Sequence, residues 1–318
     1  MRKITEPNYA ELEKFISVDR LSSYKTIVKK KSPKNLIAAY HWNKHVSSAL
    51  YPILQCLEVT LRNSIHIAGS SVFQASDWYE QALKHGGDRK FKSDHAKWSQ
   101  NFYRKSAGYP KQQSKKAWIS NHENMLKTAK KHLDRENKPT TASNVVASVM
   151  FGFWVSFFED AYSGTDPKKF LWPHLETLIF QKGEAVKNRK QAHALLEELQ
   201  QLRNRMSHHE PVWKNKSVVD DVTAINFLNN QVDQALKLIK SISSERYEHL
   251  LKTGKVSYFR GICSERTLRS YLKGDAFRKL DKRKVKRIVC REISKQRSSA
   301  TILDIQNKPK FIVDLWPS

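Results

Sequence analysis

Ten consecutive residues, Leu202-Arg203-Asn204-Arg205-Met206-Ser207-His208-His209-Glu210-Pro211, bring together side chains suited to opening a phosphodiester. A guanidinium is a permanent cation that grips phosphate through two parallel hydrogen bonds. An imidazole, with an ordinary pKa of about 6.5, gives or takes a proton near neutrality. Cleavage of RNA at one phosphate needs both. The ribose 2′-hydroxyl must lose a proton as it attacks, the leaving 5′-oxygen must gain one, and charge builds between them. Arg203 can meet that charge, Asn204 can orient it or the imidazole, and His208 can move a proton. One histidine does not easily act as base and acid in one step. A second copy of the motif, supplied by a two-fold partner subunit, would complete the pair.

The motif needs a helix to hold it. Leu195, Leu199, Leu202 and Met206 form an apolar stripe at steps of three and four, which predicts a helix from about Ala185 into the motif. Asn204 and His208 are four apart and share a face. Arg203 borders the stripe, so packing can anchor its stem. Pro211 ends the helix and leaves His208 and His209 in its last turn, where the helix C-terminus favours a protonated imidazole. Spacing alone also describes an ordinary capped helix end.

The 318 residues carry 57 Lys plus Arg against 31 Asp plus Glu, a net charge of +26. That balance favours a polyanionic partner, nucleic acid before an anionic membrane surface. Ten Gly and ten Pro are few turn-formers for this length, so a mainly α chain is expected. No apolar run reaches the roughly 20 residues that span a bilayer, and the first residues lack a secretory core. Cys56, Cys263 and Cys290 are odd in number and far apart, which suggests a reducing, cytoplasmic setting without disulfides.

Along the chain, residues 7–31 read as one or two short helices and Ser32-Pro33 as a helix start. Lys34 to about Ser71 follows the helical period, with Pro52 bending it or starting its second half. Residues 86–118 interleave Lys90, Lys92, Arg104 and Lys105 with Phe91, Trp98, Phe102, Tyr103, Tyr109 and Trp118. Such a mixture suits backbone phosphates and unpaired bases, and suits equally a surface insertion folded onto the body. A polar helix is expected over Asn121–Asn137, an apolar one from Val145 to Phe158, and a long one from Val218 to about Leu251. From Lys252 onward there are 18 Lys plus Arg against 6 Asp plus Glu. This basic tail reads as short helices at Glu265–Leu272 and Asp281–Ile293 and strands at Ala300–Ile305 and Phe311–Leu315. Lys282, Arg283, Lys284, Lys286 and Arg287 are its candidate RNA contacts. A degenerate helix-turn-helix over Glu265–Ile293 is the alternative, and it would make the chain a DNA-binding regulator.

Glu58 and Arg62 stand four apart in the order that favours a helical ion pair. They and Asn63 can instead line the motif's cleft and orient His208 or Arg203. His41 and His45 share a face but lack a third ligand nearby. Neither a Gly-rich phosphate loop nor a nucleophile motif is present, and no metal or cofactor is expected.

Leu202 to Trp213 resembles the active-site signature of the HEPN superfamily, an Arg, a polar residue and a His at a helix end. It is more closely similar to the Abi-like, or abortive-infection, branch, where Arg-Asn, three residues, His-His and a following Trp recur. Leu57-Glu58-Val59-Thr60-Leu61-Arg62-Asn63 and Phe151-Gly152-Phe153-Trp154-Val155-Ser156-Phe157-Phe158 resemble two further segments of that branch. The resemblance implies a mainly α, HEPN-type helical bundle over residues 34–251. Residues 1–33 would precede it as a helical segment, the basic-aromatic insertion at about 86–118 would interrupt it, and the α+β extension at 252–318 would follow. It implies a metal-independent endoribonuclease acting as a homodimer, in phage defence or as the toxin of a toxin–antitoxin pair. Arg203 and His208 would be catalytic, with Asn204 supporting and His209 also matching. The expected partner is RNA, as substrate or as an inhibitory non-coding RNA, with DNA the lesser alternative. Some members of the superfamily bind without cutting, so a purely binding module is the second hypothesis.

Overall fold

A computed structural model describes residues 8–86 and 121–274, positions 283, 286, 287 and 290, and the backbone of three short strands beyond. Lys90, Lys92, Arg104, Lys105, Lys282 and Lys284 lie outside the described residues. The fold is mainly α, as the scarcity of Gly and Pro predicts. The chain divides into two compact units.

The first unit comprises Met1–Cys56, Gln201–Leu236 and Glu245–Ser318. It opens with α1 (Tyr9–Ile16) and α2 (Val18–Ser22), then the first part of α3 (Pro33–Phe73). Helix α3 starts at Pro33, where a missing N–H costs nothing, and runs 41 residues straight through Pro52. Pro52 cannot donate to the Ser48 carbonyl four residues before it, and Ser48 is an exposed residue, where such a loss costs least. One face of α3 buries Ala39, Trp42, Val46, Ala49, Leu50 and Ile53. Trp42 stacks on Trp213 at 5.2 Å between ring centres, and Tyr24 meets Trp213 edge-on at 5.6 Å. The Trp42 indole N–H donates to the Ile262 carbonyl at 3.0 Å, tying α3 to the end of α12 (Lys255–Ile262). Helix α13 (Glu265–Lys273) begins at the Ser264 cap, whose hydroxyl accepts from the Thr267 N–H, and ends at Gly274 in the left-handed region. The tail then forms strands β1 (Lys279–Leu280), β2 (Ser299–Ile305) and β3 (Phe311–Leu315). Strands β2 and β3 are antiparallel with Ser299 opposite Leu315, and β1 runs parallel to β2.

The second unit comprises Leu57–Gln200 and Lys237–Ser244. It holds the rest of α3, the helical residues 78–86 (α4), α5 (Asn121–Arg135), α6 (Ala142–Ser148) and α7 (Phe151–Ser156). A small α8 (Glu176–Ile179) and most of α9 (Arg189–Ser207) follow. Its core is aromatic. Trp78 packs on Phe157 at 5.1 Å, and His122 lies between Phe153 at 4.5 Å and Phe157 at 4.3 Å. Gly69 is required where α3 passes Trp78, because a Cβ there would stand 2.5 Å from the indole ring. The single apolar helix expected over 145–158 is instead two. The backbone is extended at Val149 and Met150. That break keeps Val149 buried, leaves Met150 exposed, and lets Phe151 to Val155 all face inward. The long helix expected from Val218 is likewise interrupted, giving α10 (Asp221–Ile242) and α11 (Ser244–Lys252) about Ser243.

Buried imidazoles give the fold an acid limit. In the second unit the Trp78 indole N–H donates to His66 Nδ1 at 3.2 Å, which requires that nitrogen to be unprotonated. Burial holds the pKa of His66 below the ordinary value, and does the same to His45 in the first unit. The unfolded chain therefore binds more protons than the fold once pH drops below about 6.5, so stability falls with further acidification. The thermal midpoint should drop between pH 7 and pH 5, and His66→Gln should flatten that slope. A midpoint that rises on acidification contradicts the assignment.

Candidate active site

The motif is the C-terminal end of α9. The helix begins after Asn188, whose side-chain oxygen accepts from the Gln191 N–H at 3.0 Å, four residues later than the periodicity suggests. Its buried stripe is Ala192, Leu196, Leu199 and Leu202, all 0% exposed. Leu195 and Met206 flank that stripe as half-buried residues. Arg203 is half-buried beside Leu202, and its Nη1 reaches the Ser207 hydroxyl at 3.4 Å. Asn204 and His208, which their four-residue spacing puts on one face, are both exposed. His208 is open to solvent and not enclosed in apolar packing.

The helix stop explains why the two histidines differ. The Glu210 N–H donates to the Arg205 carbonyl at 2.9 Å, and the His209 N–H to the Met206 carbonyl at 3.1 Å. This crossed pair is the Schellman arrangement, with His209 as the left-handed residue just past the cap. His209 has φ = +55°, a region that glycine occupies without penalty and a branched L-residue does not. Its backbone therefore does the turning. His209→Gly should keep the fold and raise stability by up to about 1 kcal/mol, read as a higher thermal midpoint. Loss of the folded state in that variant contradicts a backbone role.

Three residues that spacing did not single out fix this end in place. Asn43 on α3, only 3% exposed, clasps both sides of Pro211. Its amide nitrogen donates to the Glu210 carbonyl at 3.2 Å, and its oxygen accepts from the Val212 N–H at 3.1 Å. The same nitrogen donates to the Tyr24 hydroxyl at 3.2 Å, and burial pushes that phenol's pKa up. Arg20 on α2 donates to the His209 carbonyl at 2.8 Å. The one available signal for Asn43 is an amide set among apolar residues on the inward face of a helix.

Beside this end runs a shallow groove of about 660 Å³, lined by Gln201, Arg205, Glu210, Lys214, Asn215 and Lys216. Lys214 pairs with Glu210 at 3.4 Å. Partial burial lowers the pKa of the Arg205 guanidinium from its usual value, and the Glu210 carboxylate opposes that. A guanidinium stays charged through such a shift.

The remaining candidates are placed as follows. Glu58 and Arg62 are half-buried and Asn63 is exposed, all on the part of α3 in the second unit. Arg62 Nε is buried without a hydrogen-bond partner. Arg283, Lys286 and Arg287 are exposed at helical positions of the basic tail. His45 is committed to two phenols, with Nδ1 2.9 Å from the Tyr271 hydroxyl and Nε2 2.8 Å from the Tyr258 hydroxyl. Among the described residues no group of three His, Cys, Asp or Glu is arranged to hold a metal ion, and no helix is long and apolar enough to cross a membrane.

A family model described as Abi-like protein matches residues 4–214. That span covers both compact units in part and ends one residue after Trp213. No curated protein and no solved structure matches.

Proposed function

The chain belongs to the Abi-like protein family, and from that premise we propose that it is an endoribonuclease of the HEPN type that cuts RNA without a metal ion. Its biological setting is abortive infection, or the toxin role of a toxin–antitoxin pair. The observation that carries this reading is the placement of the signature. Asn204 and His208 are presented to solvent on one face of a helix end that Asn43 and Arg20 hold rigidly. A proton-transfer group needs both access and fixed geometry.

In the proposed reaction an imidazole takes the proton of a ribose 2′-hydroxyl. The 2′-oxygen attacks the adjacent phosphorus, and the bond from phosphorus to the 5′-oxygen breaks. A second, protonated imidazole delivers a proton to that 5′-oxygen. The products are a 2′,3′-cyclic phosphate and a 5′-hydroxyl. Arg203 stabilises the charge on the phosphoryl oxygens, and Asn204 orients His208 or the phosphate. His208 is the base in one subunit and the acid in its two-fold mate. At about 100° per residue, positions 203 and 208 lie roughly 140° apart around α9. That separation favours a site to which two copies contribute.

The test is incubation of purified protein with single-stranded RNA in EDTA, with sedimentation at the same concentration. Cleavage by a two-subunit species is expected. Cleavage that stops in EDTA overturns the metal-independent reading, and cleavage by a strict monomer overturns the composite site.

A further inference from the structure

The groove beside the motif has the chemistry of a second phosphate site. On α9, Gln201, Arg205 and His208 succeed one another at steps of four and three, so they line one side of the helix. Arg205 is thus closer around the helix to His208 than Arg203 is. Among the described residues its guanidinium has no hydrogen-bond partner, although it is half-buried and Glu210 lies near enough to act on it electrostatically. Its N–H donors, five in a fixed fork, are uncommitted, and the residue lines the groove. The opposite wall adds Lys214 and Lys216, both exposed. Asn215 has its side-chain oxygen occupied by the Ser217 N–H at 3.0 Å and hydroxyl at 2.9 Å, which leaves its amide N–H groups to donate.

A helix C-terminus ordinarily repels anions, with about half a negative charge. Here three of its last carbonyls are already engaged. Asn204 O accepts from His208 N–H, Arg205 O from Glu210 N–H, and Met206 O from His209 N–H. Three cations against the single Glu210 carboxylate then leave the groove positive. Glu210 itself is drawn to Lys214 and Arg205, which holds the cationic side chains in place before a ligand arrives.

We propose that this groove seats the backbone of single-stranded RNA one or two phosphates away from the bond cut at His208, with Arg205 as the bidentate phosphate ligand and Lys214 and Lys216 as flanking charges. The inference rests on the nuclease reading for the identity of the polymer, but its test does not require cleavage. A labelled single-stranded RNA 12-mer would be titrated onto His208→Ala protein at several salt concentrations, so that the probe stays whole. The same titration would follow with Arg205→Ala, Lys214→Ala and Lys216→Ala added together. Each phosphate contact on a single strand contributes about 0.7 to the slope of log affinity against log salt. The combined variant should lose roughly 10-fold or more in affinity and about 2 from that slope, with an unchanged thermal midpoint. Lys214→Ala with Lys216→Ala, both at exposed positions, should lose about 1.4 of slope and serves where Arg205→Ala disturbs folding. Equal affinity and slope in all proteins overturn the groove. Tighter binding of duplex DNA through the same side chains overturns its assignment to RNA. RNA held through the groove by a wild-type protein that cuts nothing upholds the groove and defeats the nuclease reading alone.

Discussion

His208→Ala should lower the rate of RNA cleavage by about 10²- to 10⁴-fold, the ordinary contribution of a positioned proton-transfer group. Arg203→Ala should cost about 10²- to 10³-fold through lost stabilisation of the phosphoryl charge. RNA affinity should change little in His208→Ala, because one exposed imidazole adds little to the phosphate attraction of a chain with net charge +26. His208 makes no core contact that its removal would disturb, so the thermal midpoint should stay within a degree or two of wild type. The measurement is a single-turnover rate on a labelled RNA beside a binding titration. Full cleavage by both variants removes the motif from the chemistry.

The second large effect is structural and acts on the same site from behind. Asn43→Ala strips the Glu210 carbonyl and the Val212 N–H of their partner at once. Leaving a buried polar group unpaired costs about 1–3 kcal/mol each, so a total of about 2–6 kcal/mol is expected. For a chain of 318 residues that lowers the thermal midpoint by roughly 3–9 °C. Asn43→Asp should be nearly as damaging, because a carboxylate accepts from Val212 but cannot donate to Glu210. Cleavage at a temperature where the variant is still folded should also fall, since the clasp sets the position of the helix end. An unchanged midpoint in Asn43→Ala contradicts this account of how the motif is held. Trp213 belongs to the same anchor, buried between Trp42 and Tyr24, and shows why a tryptophan follows the histidines so closely.

Much of the fold is written in local patterns, and those parts were legible. Pro33 marks the start of α3 because its ring suits a first helical turn. The stop of α9 follows from Pro211, and the strands expected at Ala300–Ile305 and Phe311–Leu315 are found at 299–305 and 311–315. The breaks at Val149–Met150 and at Ser243 were not legible. Neither carries a glycine or proline, and each serves tertiary packing that periodicity does not encode. In the α9 stripe Leu199 and Leu202 are buried as expected, but Leu196 takes the place of Leu195, because both are leucines and only the core decides between them. At the site, Arg203, Asn204 and His208 stood out by type and spacing. Asn43 and Arg20 did not, because their partners are backbone groups 167 and 189 residues away. The groove around Arg205 was invisible for the same reason. It depends on the turn after Pro211 bringing Lys214 and Lys216 back beside the helix.

The central claim is that this helix end opens RNA by internal attack of a 2′-hydroxyl. Analysis of the ends left on a defined RNA substrate tests it most directly. The account predicts a 2′,3′-cyclic phosphate on one fragment and a 5′-hydroxyl on the other, both absent with His208→Ala. A 5′-phosphate paired with a 3′-hydroxyl, or cleavage of a substrate whose 2′-hydroxyls are all replaced by hydrogen, would contradict it.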